Sequence, residues 1–253
     1  TYPLKLGGYA NLSGTSMAAP HVAGAAALLL QAHPRTKAGD VRHILQTSAV
    51  PVSWWGNPGL GFLDNVHRQG AGMLRIDNAI LATTSVMPGK LALGEFEQGP
   101  LTEKVEEISI ENHGCKTVTY TLGHAPALAT GADTFAPSFW DAFATVTFSR
   151  ETVKLRPHEE REVRVRIAGP AATDARLFGG YITLTPDDGS PTLRVPYAGY
   201  NGDYQAITAL TPTAYGFPWL ASLVGGYYVK QPAAGTYTMV GDDVPYILLH
   251  LHH

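Results

Sequence analysis

The spacing of apolar residues in this chain switches near Val86 from a helical period to a strand period. A chain that switches in this way must build two kinds of layer. On the near side, Val22-Ala23-Gly24-Ala25-Ala26-Ala27-Leu28-Leu29-Leu30 is small and aliphatic all round, which predicts a helix buried on every side and ended soon after His33 by Pro34. A second helix fits Ala38 to Thr47, where Val41, Ile44 and Leu45 make one stripe, and a short third fits Asp77 to Leu81. The nine apolar residues of the first run fall far short of the roughly twenty that a membrane span needs, so the run reads as core.

Beyond Val86, short runs rich in β-branched and aromatic residues follow one another: Lys104–Ile110, Thr117–Leu122, Ala144–Phe148, Glu160–Ile167, Tyr181–Leu184 and Thr192–Tyr197. In the clearest of them Val163, Val165 and Ile167 should face inward while Glu162, Arg164 and Arg166 face water. Asn112-His113-Gly114 and Pro186-Asp187-Asp188-Gly189 supply turns. Six or seven such strands predict an antiparallel β-sandwich. From Asn201 on, the chain is rich in Gly, Pro and Tyr, with one strand-like run at Val244–His250. We therefore expect three parts: residues 1–85, a sandwich over 86–204, and over 205–253 the start of a further β-rich module.

Charge narrows the function. Lys and Arg number 18 against 21 Asp and Glu, a net charge of -3. No basic surplus exists to neutralise a phosphate backbone, which argues against a nucleic-acid partner. A single cysteine, Cys115, excludes an internal disulfide and a multi-cysteine metal site, and it is expected to be a buried or half-buried strand residue. The chain runs from Thr1 to Leu249-His250-Leu251-His252-His253 with no initiator Met or signal pattern, so it is expected to be a piece of a longer polypeptide.

The residues that carry chemistry are Ser13-Gly14-Thr15-Ser16-Met17-Ala18-Ala19-Pro20-His21-Val22-Ala23-Gly24. Here a Gly-Thr-Ser turn leads straight into the apolar helix. Pro20 belongs within the first helical turn, where no intrahelical donor is lost, so the helix should begin close to Ser16. The Ser16 hydroxyl then lies where backbone N–H groups are free and the dipole is positive, an arrangement that stabilises negative charge growing on an acyl oxygen.

This segment resembles the nucleophile motif of subtilisin-like serine proteases (the subtilase family), matching Gly-Thr-Ser-Met-Ala-x-Pro-His-Val-Ala-Gly at all ten fixed positions. Val41–Ala49 is similar to the family's next helix, and Arg68–Ala79 to the Gly-x-Gly segment before the last helix of its catalytic domain. Ile108–Gly114 and Val195–Gly202 resemble the first hairpin and the exit of the fibronectin-III-like domain found in larger secreted subtilases. The resemblance implies an α/β fold class: the C-terminal portion of a subtilisin-type catalytic domain followed by a fibronectin-III-like sandwich.

It also implies a Ser–His–Asp triad with Ser16 as the catalytic nucleophile and the Ser16 backbone N–H as an oxyanion-hole donor beside a side-chain Asn. The family's Asp, His and Asn motifs lie upstream of the Ser, and residues 1–15 contain no Asp or His. Asn11 stands in the run-up to the nucleophile and is not given the oxyanion role. As an isolated polypeptide the chain is therefore expected to be incompetent, and the parent to be an extracellular endopeptidase acting on protein or peptide substrates. No metal or cofactor is expected in this segment, with calcium a possibility for the upstream part. The rival reading, from a different class, is a non-catalytic binding or structural β-module attached to a relic peptidase domain.

Blander readings compete at several positions. His21 lies one helical turn past Ser16 and in the family pattern is structural. Asp187-Asp188 and Asp242-Asp243 read as turns rather than calcium ligands, and His250, His252 and His253 as part of a strand rather than a metal site. The sequon Asn11-Leu12-Ser13 is expected to be covered by the catalytic turn. Trp54-Trp55 fits either a loop tip or a lid on the core.

Overall fold

The structure, a computed structural model, describes residues 11–96, 102–131, 137–171, 177–206, 210, 214, 216–232 and 234–250. The described residues up to Thr130, together with 139–202, form one compact unit, and residues 131–138 with those from Asp203 on form a second.

The first unit opens on helices: α1 (Thr15–Ala32), α2 (Ala38–Ser48), the single turn α3 (Val66–Gln69) and α4 (Ile76–Leu81). The stripe read from the sequence does its work, since Leu45 and the flanking Val41 and Ile44 of α2 pack with Ala25 and Leu29 of α1 and Ala79 of α4. Two polar ties fix the helices to one another. His33 Nε2 lies 2.9 Å from the Ile80 carbonyl, and Asn78 Nδ2 donates to the Ser48 carbonyl at 3.2 Å.

One expectation fails here. Helix α1 is not buried on every side: Ala25 and Leu29 are covered, but Val22, Leu28 and Leu30 are 47%, 49% and 39% exposed. Its partners α2 and α4 reach one face of an apolar cylinder and leave the rest bare. Pro20 also lies deeper than expected, six residues into a helix that starts at Thr15. Its missing N–H leaves the Ser16 carbonyl without a helical partner, a position where solvent can take over.

Among the described residues ten strands build the sandwich: β1 (Thr84–Met87), β2 (Leu91–Glu95), β3 (Glu103–Asn112), β4 (Val118–Thr130), β5 (Phe139–Trp140), β6 (Thr145–Phe148), β7 (Thr152–Leu155), β8 (Glu160–Ala168), β9 (Leu177–Pro186) and β10 (Leu193–Tyr200). One sheet has the order β1-β3-β8-β6 and the other β2-β10-β9-β4-β5, with β7 also on β4. Val163, Val165 and Ile167 are fully buried, and so are Ile108, Ile110, Phe178, Ile182, Leu184, Val195 and Tyr197 in the shared core, as the alternation predicts. The sandwich is not wholly antiparallel, however. β2 pairs in parallel with β10, because the chain enters and leaves this sheet along the same edge in the same direction.

At the end of β3 the expected turn hides a joint. Asn112 is buried; its Nδ2 lies within 2.8, 3.3 and 3.1 Å of the Lys116, Leu155 and Arg156 carbonyls, and its Oδ1 accepts from the Gly114 N–H at 2.8 Å. Replacing Asn112 by Leu strands these groups without water, at about 1–3 kcal/mol for each that stays unpaired. We expect Asn112→Leu to lower stability by about 2–4 kcal/mol, read as a fall in the urea midpoint. A loss below about 0.5 kcal/mol would show that water reaches the turn after all. Cys115, three residues past Asn112, is exposed in this turn and not buried in a strand, because the strand ends at Asn112.

The second unit holds a three-stranded antiparallel sheet in the order β12-β11-β13, from β11 (Trp219–Val224), β12 (Tyr227–Lys230) and β13 (Tyr246–Leu248). β13 lies inside the run foreseen at Val244–His250. Phe217 stacks on Trp219 at 4.6 Å, and Tyr228 meets Tyr246 edge-on at 5.2 Å.

Candidate active site

The polypeptide reaches Ser16 through Gly14, whose φ of 147° is a backbone setting that L side chains rarely adopt. The Gly14 carbonyl then closes the first turn of α1, accepting from the Met17 N–H at 3.0 Å and the Ala18 N–H at 3.1 Å. Ser16, second in the helix, is exposed. Among the described residues nothing is hydrogen-bonded to its Oγ or its N–H. The Ser16 hydroxyl and backbone N–H are thus both open at the positive end of an 18-residue helix.

His21 does not serve Ser16. Its Nδ1 lies 2.6 Å from the Met17 carbonyl, one turn back along its own helix, which fits the structural role read from the sequence. Asn11, Leu12 and Ser13 are exposed, so the expectation that the sequon is covered is corrected: no described part of the chain packs over this run. The paired carboxylates are turn residues. Asp187 accepts from the Thr119 N–H, Asp188 from the Ser190 N–H and Asp243 from the Thr238 N–H. No group of three or more metal-binding side chains occurs among the described residues. His252 and His253 lie outside the described residues.

The Gly70-Ala71-Gly72 segment is built on close backbone approach. Val50 and Met73 exchange backbone hydrogen bonds at 3.0 and 2.8 Å, and Gly72 between them has φ 110°. A Cβ on Gly72 would stand 2.4 Å from the Val50 carbonyl oxygen. Steric overlap and a backbone setting unfit for Ala should together cost Gly72→Ala about 2–4 kcal/mol. Its thermal midpoint should fall by several degrees; an unchanged midpoint would refute the close approach.

Sequence reasoning missed the side chains that couple the helices to the sandwich. Asn65 and Asp64 are buried, and the Tyr181 hydroxyl donates to the Gly70 carbonyl at 2.8 Å. The Gly179-Gly180 pair in mid-strand was the available signal, since glycine inside a strand marks a place where something comes close. Trp54 and Trp55 divide the two roles left open for them. Trp54 packs against Phe139 at 5.4 Å, while Trp55 is 64% exposed with the Arg68 guanidinium over its ring.

Residues 1–78 match the subtilase family and residues 92–198 an Fn3-like domain. The chain is 38% identical over 120 residues to the minor extracellular protease Vpr of Bacillus subtilis, taking in 47% of this chain and 14% of that protein. It is 27% identical over 274 residues to fervidolysin of Fervidobacterium pennivorans, taking in 94% of this chain and 38% of the relative. Subtilisin DY of Bacillus licheniformis is 53% identical over 50 residues, 20% of this chain and 18% of that one. The chain thus spans well under half the length of these relatives. No helix among the described residues is long and apolar enough to cross a membrane.

Proposed function

We infer, for a chain that carries a subtilase segment ahead of an Fn3-like domain, that Ser16 is the nucleophile of an extracellular serine endopeptidase. The observation that carries this reading is a serine within the ten-position motif, exposed at the mouth of α1 with its hydroxyl and N–H both unengaged. Ser16 Oγ attacks the scissile carbonyl as a histidine takes its proton. The Ser16 N–H donates to the oxyanion; the scissile C–N bond then breaks as the histidine passes its proton to the leaving amine, and water hydrolyses the acyl-enzyme left on Oγ, releasing the acid and restoring the Ser16 hydroxyl.

The histidine and the aspartate that orients it are not supplied by residues 1–15, and His21 is turned to its own helix. They would come from polypeptide that packs over α1. The bare Val22, Leu28 and Leu30 support this, since an apolar helix of this kind is stable in water only when covered. The competent enzyme is this chain joined to, or folded with, that portion. The relatives named as extracellular proteases support placement outside the cell.

The test is to inhibit the competent protease with a fluorophosphonate and map the adduct by mass spectrometry. The label is expected on Ser16 and nowhere else. A label on another serine would overturn the assignment, and full activity with no label would favour the structural-module reading of this half of the chain.

A further inference from the structure

The sandwich and the helical segment meet at a flaw in a sheet. The ladder between β4 and β9 runs in register down to Ala127 opposite Gly179, then slips, so that Thr130 lies opposite Leu177. Such a bulge takes residues out of the ladder. Here the loop that follows Phe62 moves in. Leu63 bridges Ala127 in parallel, and its carbonyl accepts from the Leu128 N–H at 3.0 Å.

Asn65 completes the repair. Its side chain is fully buried, and Nδ2 donates to the Leu128 carbonyl at 2.8 Å on one strand and to the Leu177 carbonyl at 2.9 Å on the other. Its Oδ1 faces the opposite way and accepts from the His67 N–H at 2.8 Å, capping α3. Both amide protons and the amide oxygen are therefore used, the protons by the sandwich and the oxygen by the helical segment. Around it Val66 packs with Ala127 and Tyr181, and Tyr181 reaches the Gly70 carbonyl. Gly179 leaves the room that Val66 occupies, since a Cβ there would come within 2.9 Å of it.

We propose that Asn65 is the joint between the two halves of this unit: residues 61–73 are locked to the sandwich by completing the β4–β9 bulge, and Asn65 makes them open and close with it as one body. From there the order is passed on by the Met73–Val50 pairing to the ends of α2 and α4, the helices that carry α1. Asn65 is a positioning residue. The inference stands whether or not Ser16 is a nucleophile.

The test is amide hydrogen exchange on this chain, comparing residues 61–73 with β8. In the wild type both should exchange through the same opening. Asn65→Asp keeps size and the Oδ1 cap but sets one carboxylate oxygen, in place of the amide N–H groups, against two carbonyls. It should speed exchange over 61–73 by at least a hundredfold while β8 changes less than tenfold. Tyr181→Phe, a milder variant that removes only the bond to Gly70, should do the same on a scale of about tenfold. Asn112→Leu, away from the joint, should move both regions together and serves as the reference for plain destabilisation. If Asn65→Asp and Tyr181→Phe also move both regions equally, or move neither, the joint does not exist. Should Asn65→Asp fail to fold, Tyr181→Phe alone decides.

Discussion

Offered a fluorophosphonate by itself, this chain should leave Ser16 unmodified over times in which a competent serine protease is labelled to completion. A hydroxyl at neutral pH is a poor nucleophile until a base takes its proton, and a positioned base contributes about 10²–10⁴ in rate. Among the described residues no base touches Ser16 Oγ, and the imidazole closest in sequence, His21, is hydrogen-bonded to the Met17 carbonyl. Labelling should therefore run at least about a thousandfold slower than in the assembled enzyme. Within that enzyme Ser16→Ala should lower kcat by on the order of a millionfold, which is the magnitude subtilisins themselves show rather than one calculated from this structure. Rapid labelling of the lone chain, with the adduct on Ser16, would mean that it carries its own base. Retention of activity in Ser16→Ala would remove the nucleophile assignment altogether.

A large effect on stability is expected from acid. His124 on β4 is packed beside Tyr197, with its Nε2 2.7 Å from the phenol oxygen. Burial pushes the His124 imidazole down to about 4 from its ordinary 6.5. Between those two values the unfolded chain binds a proton that the folded chain refuses, so stability rises with pH across this window and is lost as pH falls through it. A difference of that size corresponds to at most about 3 kcal/mol below pH 4, reduced to the extent that water reaches the ring. His67, also lowered by burial and set against the Gly199 carbonyl, adds in the same direction. Urea midpoints measured from pH 7 to 4 should fall steeply for the wild type and more gently for His124→Gln, whose side chain does not titrate. Parallel profiles for the two proteins would show that His124 is free to take its proton in the fold.

Legibility in the sequence followed the range of the forces involved. The strands around Val163 and Ile110 were readable because alternation is a local property of a half-buried sheet. β1 and β2 were missed: each is short, and Pro88-Gly89 between them punctuates the run. The parallel pairing of β2 with β10 depends on residues a hundred positions apart, and no local pattern encodes it. For α1 the composition reported a demand for cover on every face, while the described structure meets it on one. The place of Ser16 at the start of α1 was legible, because its neighbours form a contiguous motif tied to one backbone shape. Asn65 was invisible, because Leu128 and Leu177 become its partners only after two strands have slipped in register. Asn112 stood between the two: its turn was evident and its burial was not.

The insertion of Leu63 and Asn65 into the sheet also bears on how such proteins can be recombined. The span between the two family matches, residues 79–91, looks like the natural cut for exchanging one sandwich for another. A crossover there would part Asn65 from the two strands that accept its protons. A workable graft has to carry residues 61–73 along with the transplanted sandwich, or bring a recipient whose own loop ends in a buried amide. The seam between these modules is therefore displaced from the linker and lies inside the fabric of the sheet.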